Sequence, residues 1–169
     1  DIIAAVGNSY GVVLAAQGHL LALEEPDAIN PEWAKWNDDL LMPPSGRYAL
    51  VSDRSSGKGP RLDAIKNALR TATEAVIATD CDREGQAIGQ SALLFFGFRG
   101  RIKRAMFTAQ DPTSLQAAFA KLEDNSKYEN LYQAAVARSQ AHQIYNLTLT
   151  RVATNNLRKQ FGEPVIGIG

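Results

Sequence analysis

A single cysteine, Cys81, among 169 residues leaves no possible internal disulfide, so nothing covalent staples this chain. Such sparing use of cysteine suits a reducing cytoplasm. No apolar run approaches the roughly 20 residues needed to span a bilayer, which speaks against a membrane helix. The opening DIIAAVGNSY has neither a basic start nor a small-residue cleavage pattern, so it does not read as a secretory signal. It also lacks an initiating Met, and the chain reads as cut from something longer. Net charge is absent too: 18 basic side chains balance 18 acidic ones. A protein that coats nucleic acid by phosphate neutralisation would carry a basic excess. Local engagement of a polyanion remains open.

What is present is ordinary globular material, 45% hydrophobic and 21% charged, in a length suited to one domain. Strand-like and helix-like runs alternate. Tyr10–Ala16 (YGVVLAA) is β-rich, and Glu24 to Gly46 is irregular, with a possible helical turn near Pro31–Trp36. Tyr48–Val51 suggests a short strand, and Ser55–Pro60 (SSGKGP) a loop. From Pro60 or Arg61 a helix places Leu62, Ile65 and Leu69 on one face. Ala75–Thr79 (AVIAT) reads as a strand covered on both sides. Gln86–Phe96 reads as a helix with Ile88, Ala92 and Phe95 inward, and Ile102–Phe107 as the next strand. Asp111-Pro112 starts a helix with Leu115, Phe119 and Leu122 as its buried stripe. A long helix spans about Tyr128 to Thr150, and the final GEPVIGIG reads as a connection. This alternation predicts a mainly parallel sheet with helices on its faces, where ligands gather at the carboxyl ends of strands.

That is where the most informative motif falls. Asp80-Cys81-Asp82-Arg83-Glu84-Gly85 follows the AVIAT strand directly. Three carboxylates in five residues repel one another, and a hard divalent cation would relieve that repulsion. All-oxygen ligation favours Mg²⁺ over zinc. Gly85 allows a sharp entry into the helix, whose first N–H groups suit an anion. Together these make a reasonable phosphodiester site. An EF-hand loop fits less well, because its twelfth position would be Ser91 instead of Glu and a strand precedes it. A DxDxT phosphatase pattern would need Thr at Glu84. A solvated acidic turn that caps a helix is the plainer alternative.

The stretch VIATDCDREGQAIG resembles the signature of the Toprim domain in type IA topoisomerases, especially the topoisomerase III branch. GHLLAL at 18–23, INPEWAKWNDDLLMPP at 29–44, KRAMFTAQDPTSLQAAF at 103–119 and LYQAAVARSQAH…LTLTR at 131–151 resemble further family segments, in the family's order. The resemblance implies an α/β Toprim (Rossmann-like) three-layer domain with a mainly parallel central sheet and flanking helices over 1–125. The family's first strand, with its Glu-Lys-Pro motif, is missing. Residues 126–169 would be a long helix and a connection toward the next topoisomerase domain.

By the same resemblance Asp80, Asp82 and Glu84 would hold Mg²⁺, with Glu84, Arg138 and His19 near the chemistry. Arg104, Arg138, Arg83 and His142 would contact DNA, arginine being suited to phosphate by its planar fork. A surface salt bridge is the ordinary alternative for each arginine, and a local hydrogen bond for His19. Arg138 and His142 share a helix face, beside a small apolar face of Ala134, Ala137, Ala141 and Ile144. Trp33 and Trp36 would fold the irregular segment against the sheet. Gly57-Lys58-Gly59 lacks P-loop spacing. Cys81 reads as a small residue packed beneath the turn. Three departures stand out: Gln86 where a second Glu is usual, His142 where Asp is usual, and Asn146 for a usual Gly. Tyr10, Tyr48, Tyr128, Tyr132 and Tyr145 do not match the nucleophile motif.

The implied function is a Mg²⁺-binding part of a type IA DNA topoisomerase, an isomerase. The full enzyme cuts one strand, passes another and reseals without ATP. The expected partners are single-stranded DNA and the remaining topoisomerase domains, in a cytoplasmic, nucleoid-associated protein, and this piece alone would not cut. A Toprim nuclease or primase keeps the fold with other chemistry. A non-catalytic DNA-binding module would account for Gln86, His142 and the missing Glu.

Overall fold

The computed structural model describes residues 2–7 and 9–162. The expected terminal connection lies, from Glu163 onward, outside the described residues. The chain divides into two compact units, one of residues 1–22 and 52–136, the other of 23–51 and 137–169. Both units are discontinuous in sequence.

The first unit holds a three-stranded sheet. β3 (Glu74–Ile77) pairs in parallel with β4 (Arg101–Arg104), Glu74 opposite Arg101 and Ile77 opposite Arg104. β4 pairs antiparallel with the two-residue β5 (Glu123–Asp124). A second sheet, β1 (Leu21–Leu23) with β2 (Leu50–Ser52), forms where the chain leaves this unit and returns. The fold is mixed α/β with small sheets and a parallel pair; the described residues do not form the expected mainly parallel central sheet. Tyr10–Ala16, expected as a strand, is irregular, and Val12 is 78% exposed. Its β-forming residues have no ladder to join, and pairing outweighs propensity.

The first unit also holds α1 (Ile2–Val6), α3 (Gly59–Leu69), α4 (Arg83–Phe95) and α5 (Pro112–Ala120). Asp111 caps α5 through the Ser114 N–H at 3.0 Å, a bond worth about 1 kcal/mol. Of the expected α5 stripe, Leu115 and Phe119 are buried, while Leu122 lies beyond the helix and is half-buried. Phe119, Ala118 and Ala105 form a core cluster joined by Val76, Phe107, Leu122 and two residues of α1, Ile2 and Val6. α4 starts three residues before its expected position, because Asp82 supplies the N-cap. Its inward face carries Gln86, Gln90, Ala92 and Leu93, while Phe95, expected inside, is 39% exposed.

The second unit is an irregular segment held by the far part of α6 (Glu129–Phe161). α2 (Pro26–Ile29) and a 3₁₀ turn at Pro31–Ala34 are its only helical pieces before α6 among the described residues. Leu41 and Tyr48 are buried at its centre, the Tyr48 hydroxyl donating to the Leu41 carbonyl at 2.8 Å. α6 satisfies the loop's backbone with side chains. Gln140 both accepts from Tyr48 N–H and donates to Tyr48 O, Gln143 donates to Glu24 O, and Thr148 Oγ1 accepts from Leu41 N–H. Trp33 is buried and Trp36 lies under Arg151, 5.7 Å from the ring centre. Both tryptophans thus belong with α6 and not, as expected, with a sheet.

Candidate metal-binding turn

The acidic turn occupies the stretch between the end of β3 and the start of α4. Two glycines let it close. A Cβ on Gly85 would meet the Asp80 carbonyl oxygen at 2.2 Å, and one on Gly89 would meet Ile77 Cγ2 at 2.4 Å. Gly85 is therefore required by close backbone approach instead of by the sharp turn the sequence suggests. The Thr79 hydroxyl donates to the Gly85 carbonyl at 2.7 Å and ties the strand end to the helix start.

The three carboxylates of the turn go to different partners. Asp82 Oδ1 accepts from the Gly85 N–H at 2.7 Å and caps α4. Glu84 Oε1 lies 2.5 Å from His19 Nε2, a pairing across 65 residues that sequence spacing could not disclose. Asp80 is exposed. Among the described residues no three His, Cys, Asp or Glu side chains are gathered as a metal-holding group. The expected ligand set is thus not drawn together here, since each like-charged carboxylate takes its own nearest donor or solvent. The capping alternative holds for Asp82. His19 and Glu84, both expected near the chemistry, are brought into contact, each about half exposed. The donor set itself still suits a hard cation. It offers carboxylate oxygens, while the sulfur of Cys81 donates to Phe107 O at 2.7 Å and accepts from Phe107 N–H at 3.0 Å.

Arg104 departs most from expectation. It is wholly buried, so its guanidinium is not placed to meet a DNA phosphate. One terminal nitrogen donates to Ile77 O at 3.0 Å and Thr79 Oγ1 at 3.1 Å, and the other donates to Asp80 O. Its Nε is buried without a partner. Burial lowers the arginine's pKa, opposed by the nearby acidic groups, among them the carboxylates of Asp80 and Asp82. Arg104, the last residue of β4, and Ala105 after it are fully buried in succession, the latter in the core cluster.

The Toprim domain family matches residues 1–110, a stretch that includes the whole turn. The chain belongs to the Toprim family. Over 157 residues it is 32% identical to DNA topoisomerase 3 of Bacillus thuringiensis (strain Al Hakam) and 31% identical to that of Bacillus subtilis (strain 168). Each alignment covers 91% of this chain but 21% of the relative, so the chain spans about a fifth of those proteins. Among solved structures, full-length topoisomerase I from Thermotoga maritima superposes with a TM-score of 0.67 at 22% identity. That match covers 99% of this chain and 25% of the other, and it speaks to fold alone.

Within this Toprim chain Gln86, which stands where a second Glu is usual, belongs to a buried amide network. It is buried, donating through Nε2 to Gln90 Oε1 and Asn125 Oδ1, both at 2.8 Å. Asn125 donates in turn to Gln90, and Gln90 to Glu129 Oε2 at 2.7 Å. Reading the sequence missed this amide network. The i, i+4 spacing of Gln86 and Gln90 on one helix was its only local trace. Arg83 opens α4 and is exposed.

Arg138 and His142 belong to the second unit. Both are exposed on α6, beside an open apolar cavity of about 690 Å³ lined by Leu40, Ala141, Tyr145 and Leu149 as well. The His142 ring is hydrogen-bonded to Asn146 Nδ2 at 2.7 Å, so two of the residues that differ from the family pattern pair with each other. Ala134, Ala137 and Ala141, expected as an apolar face, are exposed, while Tyr132 and Ala135 are buried.

Proposed function

We propose that this Toprim chain is the Mg²⁺-binding part of a type IA DNA topoisomerase of the topoisomerase III kind. The observation that carries the reading is the Asp80–Asp82–Glu84 turn at the end of β3, inside the residues matched by the family. Asp80 and the second oxygen of Asp82 would hold the ion, and Glu84 would join them on leaving His19. Bound there, Mg²⁺ would offset charge on the scissile phosphate and its neighbours.

The chain's own residues supply positioning. His19 can donate to a phosphate oxygen once Glu84 has left it for the ion. Arg138, with His142 beside it, can fix the DNA backbone by charge-assisted hydrogen bonds. Cleavage itself would use a tyrosine elsewhere in the longer protein. Its covalent link to DNA would conserve the phosphodiester energy, so that resealing needs no ATP. The longer protein would act on single-stranded DNA beside the nucleoid, in the cytoplasm. Among the described residues no helix is long and apolar enough to cross a membrane.

A second reading, a DNA-binding module without chemistry, is favoured by the separate partners taken by Asp82 and Glu84 and by the buried neutral Gln86. Calorimetric titration of Mg²⁺ into the intact protein separates the two. Asp80→Asn should weaken binding at least about tenfold if the turn holds the ion. Equal heats from parent and variant would leave the inert module standing.

A further inference from the structure

Arg104 lies beneath the acidic turn, fully enclosed, with both terminal nitrogens donating to strand and turn while its Nε is buried without a partner. A buried cation of this kind is expensive unless something needs it there. Its three acceptors are the last residue of β3, the strand-end threonine and the main chain of Asp80, so they follow the backbone path into the turn. Of these, Ile77 O already accepts from Ala105 N–H. The bonds to Thr79 and Asp80 are the ones that add something. Beside it, both hydrogen bonds of Cys81 Sγ go to the Phe107 backbone, fastening the turn a second time to the segment after β4. Asp80 and Asp82 are thus presented from a stretch whose backbone is held from below while their carboxylates are left outside.

We infer that Arg104 is a positioning residue for the Mg²⁺ site, bracing the backbone of Asp80 so that the Asp80 and Asp82 carboxylates stand ready for one ion. This use of the arginine rests on the Mg²⁺ reading above. It replaces the phosphate contact that the resemblance implies for the same side chain. Two effects compete. A buried positive charge repels Mg²⁺, so its removal alone would tighten binding; loss of the brace would loosen it. Lysine separates them, because it keeps the charge but has no planar fork to span carbonyl and hydroxyl together.

The test is Mg²⁺ affinity by calorimetry on the intact protein, with amide hydrogen exchange across residues 77–86. Arg104→Lys should bind Mg²⁺ about tenfold more weakly, within the range for groups that orient metal ligands. The Gly85 and Gln86 amides should exchange faster, while the β4–β5 pairing keeps its protection. Thr79→Val leaves the arginine in place but removes one of its acceptors together with the Thr79 tie to the Gly85 carbonyl, and should lower affinity by about threefold in the same direction. Lys103→Gln, which removes an adjacent β4 cation paired with Asp124, should leave affinity unchanged. A folded Arg104→Lys protein that binds Mg²⁺ as the parent does would overturn the inference. Should that variant not fold, parent-like binding by Thr79→Val overturns it equally. Absence of Mg²⁺ binding by the parent itself sinks the Mg²⁺ reading and this use of Arg104 with it, a result distinct from either variant outcome.

Discussion

The arginine of the first unit and the arginine of the second do opposite things with the same group. Arg104 is enclosed and gives its hydrogens to backbone and threonine, with acidic side chains outside it. Arg138 is exposed on α6, at the edge of an apolar cavity, with a histidine one turn further along. In the first unit the carboxylates of the turn stand outside and Arg104 is inside. In the second, Arg138 is outside, and loop backbone is bound by glutamines, a threonine and another arginine, Arg151. A guanidinium near a candidate site therefore carries no fixed meaning. Burial decides whether it meets the ligand or supports the residues that do.

The largest effect that could break this contrast comes from the glycine at the turn. Gly85→Ala must place a methyl group where the Asp80 carbonyl oxygen stands, at 2.2 Å from an ideal Cβ. Backbone, not a flexible side-chain end, would have to move. The expected cost is about 3 kcal/mol or more, measured by denaturant unfolding. If the turn is the rigid half of the comparison, Mg²⁺ affinity should fall as well. An alanine variant as stable as the parent would mean that the turn yields freely, and the first unit would lose its claim to a held site.

Gln86→Glu sharpens the same contrast from within, with a smaller effect. The amide donates to two acceptors that already face it, and a carboxylate there would set acceptor against acceptor. Leaving such buried groups unmatched costs about 1–3 kcal/mol. Desolvation would raise the new carboxyl's folded pKa above its unfolded value, so its destabilisation should grow as pH rises past the ordinary carboxylate range. Thermal melts at acid and neutral pH measure this. A variant equally stable at both would show that the network relaxes around a charge.

How much of this was legible beforehand follows from the range of each interaction. Asp111-Pro112 announced α5, and the acidic run after AVIAT announced the turn, because a cap and a strand-to-helix change are local in sequence. The Tyr10–Ala16 run misled, since β-propensity says nothing about whether a neighbour is there to pair. The His19–Glu84 contact and the burial of Arg104 depend on residues 65 and about 25 positions apart, and no spacing rule reports them. The irregular 24–46 segment gave no hint that α6 side chains would satisfy its carbonyls. That solution is visible only once Gln140, Gln143 and Arg151 are seen on one helix against Tyr48, Glu24 and Trp33.

The smallest effect on stability, and the most telling for the comparison, is expected from Arg138→Ala. The side chain is exposed, and substitutions at such positions usually stay within about 0.5 kcal/mol. If it meets a phosphate of single-stranded DNA, its loss should weaken binding similarly for all sequences. The slope of log affinity against log salt should then fall by about 0.7, the value for one phosphate on a single strand. Arg104→Lys should leave that slope alone while it alters Mg²⁺ binding. An unchanged slope in Arg138→Ala, measured by fluorescence anisotropy over a salt series, would remove the second unit's arginine from the DNA interface. The two arginines would then differ only in burial, and the contrast between brace and contact would have to be given up.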